Sequence, residues 1–177
     1  MGIISELRKR YKKSKNPVKF YRDLGATIGE RCEFRGGINL GSEPYLITIG
    51  DHVRLNQGVT IVTHDGGAWV LRECSSLPNK EELTLFGKVV IGNNVHVGTN
   101  AMIMPGVHIG NNVIIGSGAI VTKDIPDNSV AVGIPARVIE TIEEYEEKHK
   151  NEFSFTKSMG REEVREYLKK KYDDSEN

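Results

Sequence analysis

The fold this sequence predicts is a parallel β-helix, and three observations predict it. Residues 91–108 read IGNNVHVGTNAMIMPGVH and residues 109–126 read IGNNVIIGSGAIVTKDIP, with seven of the eighteen positions identical. Within that pair Ile91, Val97, Ile103, Ile109, Ile115 and Val121 recur every six residues, and Gly92, Gly98, Gly110 and Gly116 follow four of them. An earlier block keeps the period in Ile28, Phe34 and Leu40 and again in Ile49, Leu55 and Ile61, displaced by a three-residue insertion near Glu43–Leu46. A fixed short period sustained in this way is the signature of a solenoid.

Each hexad supplies one short strand and one turn. Its first residue points inward, and the residue four later (Val95, Ala101, Val107, Val113, Ala119, Ile125) lines a corner. Glycine relieves backbone crowding where turns stack. Three hexads close a triangular coil of eighteen residues, and successive coils stack about 4.8 Å apart, as strands do in any sheet. Periodicity alone leaves the handedness open, and parallel crossovers are ordinarily right-handed.

The coil is expected over residues 23–140. Residues 1–22 form an N-terminal helical cap, because Ile3, Ile4, Leu7 and Tyr11 share one face of a helix over Ile3–Lys13 while the other face is basic. Such a cap covers the open end of a solenoid; the same basic face would also suit peripheral contact with an anionic or membrane-bound acceptor. Residues 141–177 form a C-terminal extension. Glu140–Phe153 and Arg161–Tyr172 are helix-prone, Val164 and Leu168 give a small docking face, and Asp173–Asn177 is a frayed polar tail.

Composition narrows the function. Lys plus Arg number 24 and Asp plus Glu number 24, so net charge gives no reason to expect nucleic acid. No apolar run reaches the roughly 20 residues that span a bilayer, and Met1–Lys15 is too polar for a signal peptide. Two cysteines, Cys32 and Cys74, make no disulfide framework. A reducing, cytoplasmic setting is the expectation.

Residues 63–88 break the hexad pattern and read as a loop extruded from the coil. A long insertion in a regular solenoid is a functional candidate. His64 stands at its root, where a rigid edge holds a base with little positional error, and imidazole suits proton removal at neutral pH. Asp65 is read as an acceptor-binding residue rather than an orienter of His64, because neighbours in extended chain point apart. Trp69, in the loop, would stack on the face of a ligand or pack on a neighbouring subunit. Cys32 is expected to be buried, and Cys74 has no adjacent histidine to activate it, so a covalent cysteine intermediate is not expected.

The segment VTIVTHDGG, followed after the loop by VVIGNNVHVGTNAMIMPGVHIGNNVIIGSGAIVTKDIPDNSVAVGIPARVI, resembles the hexapeptide-repeat acetyltransferases over roughly residues 24–140. It is similar to the maltose, galactoside and nodulation-factor O-acetyltransferases, and more so to their relatives in capsule and lipopolysaccharide assembly. The resemblance implies a left-handed coil, an all-β fold with short terminal helices, a homotrimer with active sites between subunits, and acetyl-CoA as donor. It implies His64 as the base that deprotonates the acceptor hydroxyl. Thr99 matches the position near the thioester arm, and Ser117 one whose backbone meets the pantetheine. Thr122, Lys123 and Arg137 match positions near the adenosine phosphates. The related enzymes carry an asparagine where Gly37 stands here, with Asn39 the nearest substitute, and often a tryptophan where His96 stands.

The expected activity is therefore O-acetylation of a sugar hydroxyl, in a direct ternary-complex transfer, within surface polysaccharide biosynthesis. N-acetylation of an amino sugar uses the same donor and fold, and some β-helix subunits act only as scaffolds. No metal is expected. The γ-class carbonic anhydrases share the fold but need two histidines five apart on one rung, and Ala101 follows His96 at that spacing.

Overall fold

The computed structural model describes residues 13–173, in two compact units that meet between Tyr145 and Glu146. The expected helix over Ile3–Lys13 lies almost wholly outside the described residues. Helix α1 (Pro17–Asp23) follows it, with Pro17 at its first turn and the Asn16 side chain accepting from the Lys19 amide at 2.9 Å. Its buried Tyr21 donates its hydroxyl to the Ile38 carbonyl at 2.9 Å, and its ring lies 6.5 Å from that of Phe34. This helix covers the first rung of the coil.

The first coils are wound by β1 (Thr27–Ile28), β2 (Glu33–Phe34), β3 (Ile47–Ile49), β4 (Arg54–Leu55) and β5 (Thr60–Ile61). An excursion holds β6 (His64–Asp65), α2 (Ala68–Cys74) and β7 (Leu85–Phe86). The coil resumes with β8 (Val89–Ile91), β9 (Val95–Val97), β10 (Met102–Ile103), β11 (His108–Ile109), β12 (Val113–Ile115) and β13 (Ile120–Val121). It ends in a hairpin of β14 (Ser129–Gly133) and β15 (Ala136–Thr141). Three parallel sheets result. The first is β1-β3-β8-β11, the second β2-β4-β9-β12-β14-β15 and the third β5-β10-β13; within the second, β15 alone runs antiparallel to its neighbour.

The register explains both irregularities of the repeat. Val90 pairs with His108, one coil of eighteen residues on, whereas Thr27 pairs with Thr48, three residues further. Those three extra residues form the turn that enters the 3-10 helix Pro44–Leu46. Residues 63–88 are not the plain loop expected. Strands β6 and β7 pair antiparallel, His64 with Phe86 and Asp65 with Leu85, and carry α2 and a 3-10 turn at Lys80–Glu82 between them. A stem of paired backbone satisfies donors and acceptors that an extruded loop would leave to water.

Alternation along the strands sorts core from surface. Every hexad residue of the repeat is buried, and so are the residues four later, from Val95 through Ile125. Both positions face the core because the second lies two before the next hexad start, on the same side of the strand. Burying each Ile, Leu or Val contributes roughly 1.5–3 kcal/mol relative to exposure. Cys32 departs from expectation: it is half-buried, because it lies on the first rung with no coil beneath it. Its thiol reaches the Gly50 carbonyl at 3.2 Å, and burial pushes its pKa up.

The corner between the first and second sheets is a polar ladder. Asp51, Asn93, Asn111 and Asp127 stand one above another, and Oδ1 of Asn93, Asn111 and Asp127 accepts the amide of the residue below at 2.7–2.9 Å. Beside them His52, Asn94, Asn112 and Asn128 all adopt left-handed backbone. Their side chains join, Asn94 donating to Asn112 and Asn112 to Asn128 at 2.9 Å each, with His52 Nδ1 2.8 Å from Asn94 Oδ1. Asparagine tolerates this conformation better than other non-glycine residues.

The chain leaves the coil later than a helix over Glu140–Phe153 would require. Glu140 and Thr141 belong to β15, and helix α3 (Ile142–His149) begins after them. Thr141 and Glu144 set that start by exchanging side-chain to backbone bonds of 3.1 and 2.7 Å. In the second unit, α4 (Arg161–Lys171) lays Val164 and Tyr167 half-buried, with Leu168 more exposed than the expected pairing implied. The Tyr167 hydroxyl and Lys171 Nζ both reach Ser154 Oγ, which ties this helix to the segment before it.

Candidate active site

Three corners position the candidate residues. His64 leaves the coil at the corner between the third and first sheets, three residues past Ile61. The stem it begins is seated by Gly87, whose amide donates to the Thr63 carbonyl at 2.8 Å. A Cβ at Gly87 would lie 2.3 Å from the Gly106 nitrogen, so only glycine lets the stem rest on the next turn. The Phe86 ring meets the imidazole edge-on at 6.2 Å.

Glu43 is the partner of His64. Its Oε2 accepts the Thr63 hydroxyl at 2.7 Å and faces His64 Nδ1 at 3.0 Å. A carboxylate only accepts, so Nδ1 carries the proton and Nε2 keeps the lone pair. The Glu43 side chain is 15% exposed and the His64 side chain 44%, so the carboxylate is sheltered while the imidazole is open to a reactant. The Thr63 hydroxyl foremost, and then His64, hold the Glu43 carboxyl below the usual carboxylate range. Sequence reasoning missed Glu43 and Thr63. The signal was the three-residue insertion at Glu43–Leu46, which lifts a carboxylate out of the hexad register and over the base of the hairpin.

The remaining candidates separate. Asn39 pairs beside Thr60 at the start of the third sheet, and its Oδ1 accepts the Gly41 amide at 3.1 Å. Gly41 in turn lies against Thr63, so Asn39 belongs to the neighbourhood of His64. Gly37 occupies a left-handed turn with φ of +76°, a conformation asparagine also adopts in this coil, so the backbone gives no reason for the exchange. Asp65 is exposed, and its Oδ1 accepts the Gly67 amide at 2.7 Å, which turns the chain into α2. Trp69 sits on that helix, 73% exposed, rather than in an irregular loop.

Thr99 and Ser117 stack at the corner between the second and third sheets, one rung apart, with the Gly118 amide donating to the Thr99 carbonyl at 2.8 Å. A Cβ at Gly98 would lie 2.4 Å from the Ser117 nitrogen, so these turns lie backbone on backbone. Thr122 and Lys123 are exposed at the corner that carries His64, two rungs further along. Arg137 is exposed on β15, where Nη1 donates to its own neighbour's carbonyl at Ala136. Within one chain, then, His64 and the Thr99–Ser117 pair occupy different corners on either side of the third sheet.

His96 lies on the outer face of the second sheet. Its Nε2 is 3.4 Å from Asn56 Nδ2, and burial, with the Arg54 charge beside it, pushes its pKa below the usual histidine value. Among the described residues no cluster of three His, Cys, Asp or Glu side chains is placed to hold a metal ion, and no helix is long and apolar enough to cross a membrane.

The model of the bacterial transferase hexapeptide family, with six repeats, matches residues 88–123. Protein CapG of Staphylococcus aureus is 46% identical over 153 residues, spanning 85% of this chain and 86% of its own length. Galactoside O-acetyltransferase of Escherichia coli K12 is 38% identical over 135 residues, which are 73% of this chain and 61% of that protein. The crystal structure of a maltose O-acetyltransferase from Clostridium difficile 630 superposes with a TM-score of 0.56 at 31% identity, over 70% of this chain and 73% of that one. A galactoside acetyltransferase in complex with coenzyme A superposes with a TM-score of 0.57 at 28% identity, over 80% and 82%. Likeness to these solved structures implies that the coil winds left-handed. A hexad repeat in the sequence, three stacked parallel sheets and a relative matched over most of both lengths converge: this chain belongs to the hexapeptide-repeat acetyltransferase family.

Proposed function

We propose that this protein transfers the acetyl group of acetyl-CoA to a sugar hydroxyl, with His64 as general base, in the making of a surface polysaccharide. The observation that carries the reading is the Thr63–Glu43–His64 network, which leaves Nε2 free on an exposed imidazole at a rigid root. Acetyl-CoA as donor is supported by the coenzyme A complex among the similar structures. The flat backbone stack at Thr99 and Ser117 suits an extended pantetheine, and Lys123 and Arg137 suit phosphate oxygens.

His64 Nε2 takes the proton of the acceptor hydroxyl as its oxygen attacks the thioester carbonyl. The Glu43 carboxylate stabilises the imidazolium that forms. The carbon–sulfur bond then breaks, the oxygen keeps the acetyl group, and the imidazolium returns its proton to the departing thiolate. An amide near Thr99 is the proposed donor to the oxyanion. Because one chain separates His64 from Thr99 and Ser117, a complete site joins two copies, and the homotrimer is the proposed assembly. Use of acetyl-CoA as donor supports a cytoplasmic setting.

His64→Ala is expected to lower turnover about a hundredfold or more, the usual scale for a general base, while calorimetry finds coenzyme A affinity kept. Lys123→Ala and Arg137→Ala should show the reverse, with coenzyme affinity reduced first. Undiminished turnover in the His64 variant would sink the assignment.

A further inference from the structure

A second polar constellation lies on the outer face of the second sheet. A groove of about 370 Å³ opens there, floored by Glu33, Arg54 and His96, flanked by Arg31 and His52 at the corner and bounded by Ile142. That volume is in the range of small-molecule sites. Its charge is one-sided. Arg54 reaches Glu33 Oε2 through Nε at 3.1 Å and Nη2 at 2.9 Å, and Arg35 Nη2 reaches the same oxygen at 3.0 Å. Two guanidiniums thus share one carboxylate oxygen. Arg31, held in left-handed backbone at the groove's edge, has no ion-pair partner among the described residues. Two arginines of the lining, Arg31 and Arg54, face the single carboxylate of Glu33, in a chain whose net charge is zero.

The groove lies on the sheet whose other end is the donor corner. His96 lines it and touches Asn56, and the next residue of that turn, Gln57, accepts the Asn100 amide beside Thr99 at 2.9 Å. A ligand held in the groove therefore lies along the sheet that leads to the thioester position. We propose that this groove binds an anionic group of the acceptor, a carboxylate or phosphate oxyanion, with Arg54 as the principal contact and Arg31 completing its field. The fork of Arg54 matches such an oxyanion geometrically, and Glu33 holds the fork in place until the ligand takes its share. The acceptor class is an acidic or phosphorylated sugar. This rests on the acetyl-transfer reading for its meaning, though not for its detection.

The test is ligand binding by the full-length His64→Ala protein, saturated with coenzyme A, followed by chemical-shift changes at groove residues. Three probes are titrated: glucose, glucuronate and glucose 1-phosphate. At least one anionic sugar should bind about tenfold or more tightly than glucose. Arg54→Ala should erase that preference, and Glu33→Gln should strengthen it, since it removes the competing carboxylate. A merely structural Arg54–Glu33 pair would not move binding in opposite directions. Whether glucuronate or the phosphate wins names the source of the oxyanion. No saturable shift from either anion, or a preference that survives Arg54→Ala, overturns the proposal. Oxyanion binding in a protein that never releases coenzyme A thiol in the presence of acetyl-CoA would leave the groove standing and sink acetyl transfer instead.

Discussion

In the proposed mechanism, Glu43 decides how good a base His64 can be. Its carboxylate is kept ionised by the Thr63 hydroxyl and fixes the tautomer of the imidazole across 3.0 Å. Glu43→Gln keeps the shape and removes the charge that steadies the imidazolium, so turnover should fall about tenfold or more with little change in coenzyme affinity. The same substitution has a pH signature in stability. A carboxyl whose folded pKa is lowered adds stability above its unfolded value, and that stability is lost as pH falls through the folded one. The thermal midpoint of the wild type should exceed that of Glu43→Gln at neutral pH, and the gap should close as acidity passes the ordinary value of 4.5. A gap constant from pH 7 to 3 would show that the ionised carboxylate adds nothing. The histidine was legible in the sequence because it broke a repeat. Its partner was not, because Glu43 lies 21 residues earlier and meets it only through the coil's stacking.

The corners are the elements that make the coil regular. Each sheet needs its turns to stack at strand spacing, and the Asn ladder does this with one side-chain bond per rung where backbone alone has an unsatisfied amide. Asn112 sits mid-ladder, bonded to the rungs on both sides, with φ of +54°. Asn112→Ala keeps the strained backbone and loses both bonds, so chemical denaturation should find it destabilised by about 1–3 kcal/mol. Asn112→Gly relieves the backbone and should recover part of that loss. Equal stability of all three proteins would mean that the ladder contributes nothing. The paired asparagines of IGNNV stood openly in the repeat, but a linear pattern shows recurrence without showing what a recurrent residue bonds to. The hairpin stem was hidden for a different reason: Leu85 and Phe86 are exposed strand residues, so no apolar alternation announces them.

At the scale of the whole coil, the three faces differ. The first shows Thr27, Thr48, Val90 and His108 outward, the second Glu33, Arg54, His96 and Ile114, and the third Thr60, Met102 and Ile120 with Val62 and Met104 beside them. The third is the most apolar of these faces, and it lies between the corners that carry His64 and Thr99. Met102→Glu with Ile120→Lys should therefore shift the sedimenting mass from trimer to monomer and abolish turnover while each chain stays folded by circular dichroism. A mass that is unchanged, or monomeric from the outset, would remove the shared-site reading. The core of the coil was legible, since one period placed the buried residues of the repeat, though not its hand; what a face is for was not, because outward residues carry no period.

A coil of stacked eighteens has no natural last rung, since every turn offers the next the same row of amides and carbonyls. The molecule's length is set by where that offer is withdrawn. After β14 the chain folds back at Gly133, and β15 pairs against it in reverse, with Val130 facing Glu140 and Val132 facing Arg137. A reversed, charged strand blunts the edge that the second sheet would otherwise offer to a further rung. The hairpin thus acts as a stop signal on one of the three faces, written in strand direction and in charge.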